Sequence, residues 1–491
     1  MGRHAKKITN GEGLDRRETG YYSTPKEVAE FIAHKTLEYV KEAKAVLDPC
    51  VGKGELVEPF LNKGLSVTGL DVLDFDDRPR SIDFTQNDFL EYYETQKHSR
   101  ILGQRIDLPY DILVANPPYN CHEVDYIRDR KARLSSLFGD VGVLNMYSMF
   151  LAAMIDCAKD GTTIGAITFD SFLTARGHAG LREQILNHCS IHYLLLCPTD
   201  LFLDQGADVR TCILILQKGR GFQGPVAVAN RPLDSTAFFS KLKDGDFARI
   251  DKADLVLSGK MDNNEFVVGA PAELLAMFKN PRLGELFDCV TGISTGNDKK
   301  YLHKEAKPGA SVPFFKNPGS RRFYTTPDAF LPDDFLEIDK QVSNFMVRNK
   351  RLLFQPGIAC SSMGVAFGAA YLPPDSAYGV NANIIVDEKD LWWLLAFLNS
   401  SLVTYLVRGI IIRSNMITAG YVQRIPMPSF SDRAKEALAS VAKEAHSAKI
   451  GPDGVEPYVL QINNIVYEDL EISATTIAAI SEFTENLIRS T

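Results

Sequence analysis

Within this chain of 491 residues, Asn116-Pro117-Pro118-Tyr119 carries the most chemistry; it follows the strand-like run Asp111–Ala115. Two prolines remove two backbone donors and restrict the turn, while their carbonyls remain as rigid acceptors. The Asn116 side chain adds an acceptor oxygen, and Tyr119 adds an aromatic face. A turn of this kind suits a planar heterocycle bearing an NH2 group. The lone pair of such an amine is delocalised into its ring and is a poor nucleophile. Accepting both N–H hydrogens, on the Asn116 side-chain oxygen and the Pro117 carbonyl, favours a more tetrahedral nitrogen that can attack a sulfonium methyl in line. The work is positioning and electrostatics, and no cysteine nucleophile is required. Without its context the tetrapeptide also reads as a Pro-rich turn with Asn as a local cap.

Upstream, Val46–Phe60 ends a strand at Asp48-Pro49 and turns through Gly52-Lys53-Gly54 into a helix. Glycines let a backbone pass close to a ligand, in the crevice beyond the strand's carboxyl end. No Walker lysine followed by Ser or Thr is present, which argues against an ATP loop. The next strand ends at Asp71, where a carboxylate can accept two ribose hydroxyls; the same acid can cap a turn. Asp88 can accept from an adenine amine and Phe89 can stack on its face, or the pair can be a loop acid beside a core aromatic. Their order along successive βα units favours a nucleoside cofactor. A second aromatic candidate is Phe202, in Asp200-Leu201-Phe202-Leu203, although on spacing alone it reads as a core or loop-anchoring Phe.

These residues need a sheet to hold them. Pro25–Val40 has helical spacing, with Thr24 as cap and Pro25 at the first helical position. Strand-like runs occupy Ala45–Leu47, Leu65–Leu70, Asp111–Ala115, Thr163–Phe169, Ile191–Cys197 and Arg210–Gln217, the last expected to close the sheet. Helical patterns at Glu55–Leu61, Asn145–Cys157 and Gly180–Asn187 separate most of them. The alternation predicts an α/β fold, a Rossmann-like parallel sheet with covering helices. Expected domains are 1–240 for this sheet, a linker or periphery over 241–280, a mixed α+β domain over 281–430, and a helical segment over 431–491. Leu391–Val407, Ser431–Ala448 and Ser473–Ser490 read as helices.

Composition sets the remaining bounds. The chain is 45% hydrophobic and 24% charged, ordinary for a globular protein. No apolar run reaches a membrane span and the start carries no secretory pattern, so a cytoplasmic protein is expected. None of the eight cysteines forms a C-x-x-C pair, so zinc and redox motifs are absent and no metal is expected. A net charge of −8 argues against a nonspecific nucleic-acid coat. Local basic clusters, such as Arg128–Arg133 and Arg348–Arg351, count as nucleic-acid contacts only where they converge on one cleft.

With these motifs in order, the chain resembles the γ-class, TaqI-type N6-adenine DNA methyltransferases of restriction–modification systems, over nearly its whole length. The resemblance rests on Tyr22-Ser23-Thr24-Pro25, then Asp48-Pro49-x-x-Gly52-x-Gly54, Asp71, Asp88-Phe89 and Asn116–Tyr119. Cys50, Val51 and Lys53 depart from the smaller residues usual in relatives. The resemblance implies S-adenosylmethionine as cofactor, with Tyr22 and Thr24 near its methionine moiety, and Asn116 lining the same pocket. It also implies double-stranded DNA as substrate, and a separate restriction endonuclease or other defence subunits as partners. The target adenine must leave the stack, and the family places Phe202 opposite Tyr119 as its second wall. Leu283–Leu286, Gly292–Gly296, Leu398–Ser400 and Ile425–Pro428 resemble landmarks of the family's target-recognition domain, with Arg413, Ser414 and Asn415 as base-reading candidates. Alternatives are an RNA or protein-glutamine N-methyltransferase, which would not need so long a second domain, or an inactive DNA-specificity subunit. A fused nuclease is not expected, since the chain begins almost at the first motif.

Overall fold

The computed structural model describes residues 21–101, 107–119, 125–207, 209–219, 221, 224–363, 366–412, 416–449 and 451–490. Arg413, Ser414 and Asn415 lie outside the described residues. The chain divides into two compact units. The first runs to Ser258 and takes back Asn263–Gly269; the second holds Gly259–Asp262 and continues from Ala270.

The first unit is built on nine strands: β1 (Ala45–Asp48), β2 (Ser66–Asp71), β3 (Asp83–Gln86), β4 (Ile112–Ala115), β5 (Thr163–Phe169), β6 (Cys189–Leu196), β7 (Thr211–Lys218), β8 (Val226–Ala229) and β9 (Ala248–Ile250). They form one sheet in the order β3-β2-β1-β4-β5-β7-β6-β8-β9. β3 through β5 of that order are parallel. β7 then inserts antiparallel between β5 and β6. This corrects the expectation that Arg210–Gln217 closes the sheet, because β8 and β9 extend it beyond β6. β9 falls within the stretch 241–280 read as periphery.

Both faces of the sheet are covered, which is why its central strands read as unbroken apolar runs. On one face α1 (Lys26–Leu37) packs Val28, Phe31 and Ile32 over Val46, Val67, Ile112, Val114, Ile167 and Ile215. On the other, α2 (Phe89–Ile101), α3 (Met146–Cys157) and α4 (Ala179–His188) cover Leu47, Leu113, Ala115, Ile164, Ala166 and Leu214. Neighbouring residues of one strand thus serve opposite cores, the period-two rule of a pleated strand. α1 has no side-chain cap. Thr24, expected to cap it, is drawn instead to Asn116.

The second unit contains a four-stranded antiparallel sheet of Asp288–Val290, Asn383–Ile385, Gly357–Cys360 and Ala369–Leu372, in that spatial order. Two stretches distant in sequence pair: the Leu283 and Gly284 amides donate to the Ile425 and Gln423 carbonyls, and the Met427 amide donates to the Pro281 carbonyl. Beside this junction, Asp262 accepts from Arg282 at 2.7 Å and Arg424 at 3.0 Å, all three side chains being buried. The apolar stretch expected as one helix over Leu391–Val407 is broken: Glu388–Leu398 and the following Ser401–Ile411 segment meet at 66°. Asn399 is the cause. Its buried amide accepts from the Ala369 amide and donates to the Ala369 and Leu395 carbonyls, and Ser400 caps the next helix. Among the described residues no single helix is long and apolar enough to cross a membrane. Helices Asp432–Ser447, Glu456–Asp469 and Ala474–Ser490 complete the unit.

Candidate active site

The carboxyl ends of β1, β2 and β4 bring Asp48, the glycine turn, Asp71 and Asn116 together. Gly52 and Gly54 have φ of +53° and +94°, so a side chain there would be strained, and a Cβ on Gly52 would stand 2.5 Å from the Tyr21 ring. Asp71 holds the turn: one carboxylate oxygen accepts from the Gly52 amide at 2.8 Å and the other from Leu73 at 2.9 Å. Each oxygen keeps a lone pair for a further donor. Arg78, missed by the sequence reading, donates to the Gly52 carbonyl at 2.7 Å while its guanidinium lies 3.5 Å from the Phe84 ring centre. Asp48 accepts from the Cys50 amide. Burial foremost, with Asp71 and Glu55 nearby, pushes its carboxyl up to about 7. Burial also raises Asp71, against the opposing effect of the Leu73 and Gly52 amides and of Arg78.

Grouped, desolvated acids of this kind gain from a cation; in the sequence reading that cation is S-adenosylmethionine, with Asp71 expected to accept from its ribose hydroxyls. We expect Asp71→Ala to weaken binding of that cofactor by about 1–3 kcal/mol, the scale of hydrogen bonds to a charged acceptor. Calorimetric titration measures it, and unchanged affinity would remove Asp71 from the site.

Phe89 is placed differently from its expected role, and Asp88 has partners within the chain. Phe89 is 1% exposed and packs against Phe150 and Tyr92. It is a core side chain in this structure, with no face open to an adenine. Asp88 accepts at one oxygen from the Leu90 amide, capping α2, and at the other from the Tyr126 hydroxyl at 2.7 Å.

Asn116 is held firmly. Its Nδ2 donates to the Tyr22 carbonyl at 2.8 Å and to Thr24 Oγ1 at 3.1 Å. Because a carbonyl can only accept, the amide nitrogen must face Tyr22, and Oδ1 points the other way. Tyr22 and Thr24 therefore meet the Asn116 turn directly.

Tyr119 and Phe202 are brought together, but not as parallel walls. Their rings stand edge to face with centroids 6.1 Å apart and planes at 76°, which leaves no slot for a third ring. Phe202 is fully buried. Tyr119 instead stacks on Phe169 at 4.5 Å and on Tyr22 at 5.6 Å. The expected sandwich is thus closed on itself, and Tyr22 and Phe169 complete an aromatic cluster that local spacing could not reveal. Behind it, Tyr147 meets Phe169 edge-on and shares its hydroxyl with Ser171 and His178.

The basic clusters noted in the sequence are largely neutralised locally. Arg133 pairs with Glu91 and Glu94, Arg128 with Asp125, Lys350 with Asp339, and Arg351 with Asp288. Among the described residues no group of three or more His, Cys, Asp or Glu side chains is placed to hold a metal ion.

Residues 83–272 match the family model described as N-6 DNA Methylase. The matched region contains Asp88, Asn116–Tyr119 and Phe202; the glycine turn and Asp71 precede it. The Type II methyltransferase M.BanIII of Aneurinibacillus aneurinilyticus is 27% identical over 216 residues, 38% of this chain and 37% of that relative. The chain thus matches little more than a third of the curated relative's length. Among solved structures, the Type IIL restriction–modification enzyme MmeI in complex with DNA superposes with a TM-score of 0.59 at 10% identity, covering 97% of this chain and 80% of that one. A nuclease-deletion mutant of the Type ISP enzyme LlaGI with a DNA substrate mimic gives 0.55 at 13% identity, covering 88% and 55%. These likenesses show a shared fold. The resemblance to restriction–modification methyltransferases read from the residues stands on the family match and the curated relative.

Proposed function

We propose that this chain is a γ-class DNA methyltransferase that transfers a methyl group from S-adenosylmethionine to N6 of an adenine flipped out of a specific DNA sequence. The observation that carries the proposal is the orientation of Asn116, whose nitrogen is committed to Tyr22 and Thr24, so that its oxygen is the atom offered to a substrate. The cofactor supplies an electrophilic methyl on a sulfonium. The chain's own residues do the rest. Asp71, Gly52 and Asp48 hold the cofactor side; Asn116 Oδ1 and the Pro117 carbonyl accept the two N6 hydrogens and draw the lone pair out of conjugation. Tyr119 swings from Phe169 to take a face of the base, with Phe202 behind it. These interactions strengthen as the nitrogen becomes tetrahedral, so they act on the transition state more than on the bound base. The second unit is the target-recognition part in this reading, giving sequence specificity through groove contacts.

The experiment is incubation of the purified chain with methyl-labelled S-adenosylmethionine and, separately, duplex DNA, structured RNA and glutamine-containing peptides. Label in adenine of DNA supports the reading. Label confined to RNA or peptide replaces it with the corresponding N-methyltransferase, and label in none of them makes the chain a DNA-specificity module.

A further inference from the structure

We propose that Gln205 is a positioning residue that sets the aim of Asn116 through the segment Tyr21–Thr24 and ties that aim to the aromatic wall at Phe202. The inference rests on the proposed adenine chemistry and adds a residue and a coupling to it.

Tyr21–Thr24 precede α1 and have no helical hydrogen bonds of their own, so side chains hold them. Gln205 makes the most specific hold. The Ser23 amide donates to Gln205 Oε1 at 2.8 Å, and Gln205 Nε2 donates to the Ser23 carbonyl at 2.8 Å. One carboxamide thus pairs with both polar groups of one residue, as a neighbouring strand would, and fixes the backbone in height and rotation. The acceptors for Asn116 Nδ2 flank that residue: the Tyr22 carbonyl on one side and the Thr24 hydroxyl on the other. A shift of Ser23 moves both, and with them the direction of Asn116 Oδ1. Glu55 anchors the other end of the segment, accepting from Ser23 Oγ at 2.7 Å and from the Tyr21 hydroxyl at 2.5 Å. The segment therefore spans from the glycine turn to the catalytic turn.

The turn that carries Gln205 also carries Phe202. A short 3-10 helix covers Leu203–Gln205 and ends at Gly206 with φ of +78°. The Gln205 and Ala207 amides both donate to the Phe202 carbonyl, at 3.0 and 3.1 Å. Phe202 and Gln205 are thus parts of one rigid turn, and the Tyr22 ring, 5.8 Å from Phe202, touches it again from the segment's side. A base stacked on Tyr119 presses through Tyr22, whose ring meets both Tyr119 and Phe202, on the turn that positions Asn116. Capture of the base and aiming of the acceptor become one event, and a poorly seated base leaves Oδ1 misdirected.

The test uses the full chain and three variants. Gln205→Ala should slow single-turnover methyl transfer by about 10- to 100-fold, the range set by displacements near 1 Å in a positioned group. Cofactor affinity should fall by less than the rate, since the glycine turn keeps Asp71 and Arg78. Gln205→Glu keeps the bond from the Ser23 amide but sets an acceptor against the Ser23 carbonyl, so it should not rescue the rate. Thr24→Val removes the second hold on Asn116 at constant volume. If both residues act through one amide orientation, the double variant Gln205→Ala/Thr24→Val loses less than the product of the single losses; independent structural damage would multiply. Hydrogen exchange reads the hold on the segment without activity: the Ser23 amide, which donates to Gln205, should exchange at least about tenfold faster in Gln205→Ala. Unchanged exchange, a rate within twofold of the parent, or multiplicative losses would overturn the assignment of Gln205. A parent chain that labels no adenine, with exchange behaving as expected, would overturn the functional reading and leave the coupling as a structural one.

Discussion

Replacing Asn116 with alanine should slow methyl transfer to adenine by about 10²- to 10³-fold while leaving affinity for S-adenosylmethionine close to that of the parent chain. This is the scale of losing one preorganised polar group aimed at developing charge. The structure explains why the loss should fall on the chemical step. Asn116 Nδ2 is engaged by Tyr22 and Thr24, so removing the side chain deletes an acceptor already fixed in orientation, with no reorganisation left for the reaction to supply. The glycine turn keeps its own supports, Asp71 and Arg78, which do not involve Asn116. Rapid-quench single-turnover kinetics, paired with calorimetry of the cofactor, separates the two effects. A variant that loses cofactor affinity as steeply as rate would place Asn116 among binding residues and away from the amine that accepts the methyl group.

The second large effect concerns stability. Asp262→Ala should destabilise the second unit by about 3–5 kcal/mol, because it leaves the buried guanidinium groups of Arg282 and Arg424 without their shared carboxylate. The loss should spread beyond the triad, since these arginines flank the pairing of Pro281–Gly284 with Gln423–Met427 that ties two distant stretches of the unit together. Denaturant titration of the full chain should show one transition shifted to lower denaturant. A change under about 1 kcal/mol, the ceiling of an exposed ion pair, would show that the triad is solvated in solution.

How far these sites could be read from sequence follows from the distance over which each feature is determined. The strands β1, β4, β5 and β7 were legible because each is largely buried and carries a run of apolar residues. β3 was not, since Asp83–Gln86 is a polar edge strand with little buried surface. The insertion of β7 between β5 and β6 lies in strand pairing, which local periodicity does not encode. The break after Leu398 turns on one buried amide, Asn399, whose partner Ala369 is 30 residues away. The glycine turn, Asp71 and Asn116 were legible because their chemistry demands particular residue types beside strand ends. Phe89 was ambiguous for the opposite reason: an aromatic after an acid serves a core or a ligand equally, and only its 1% exposure decides between them. Gln205 and Glu55 carry no motif at all. Gln205 meets Ser23 across 182 residues of sequence, a contact that exists only once the sheet has formed.

The central claim is that this active site methylates adenine N6 with Asn116 as acceptor, and modification-sensitive sequencing of DNA from cells expressing the chain tests it most directly. The account predicts N6-methyladenine at one short recognition sequence, present with the parent chain and lost with Asn116→Ala. Methylation on cytosine, adenine methylation without a recognition sequence, or a pattern unchanged by Asn116→Ala would contradict it.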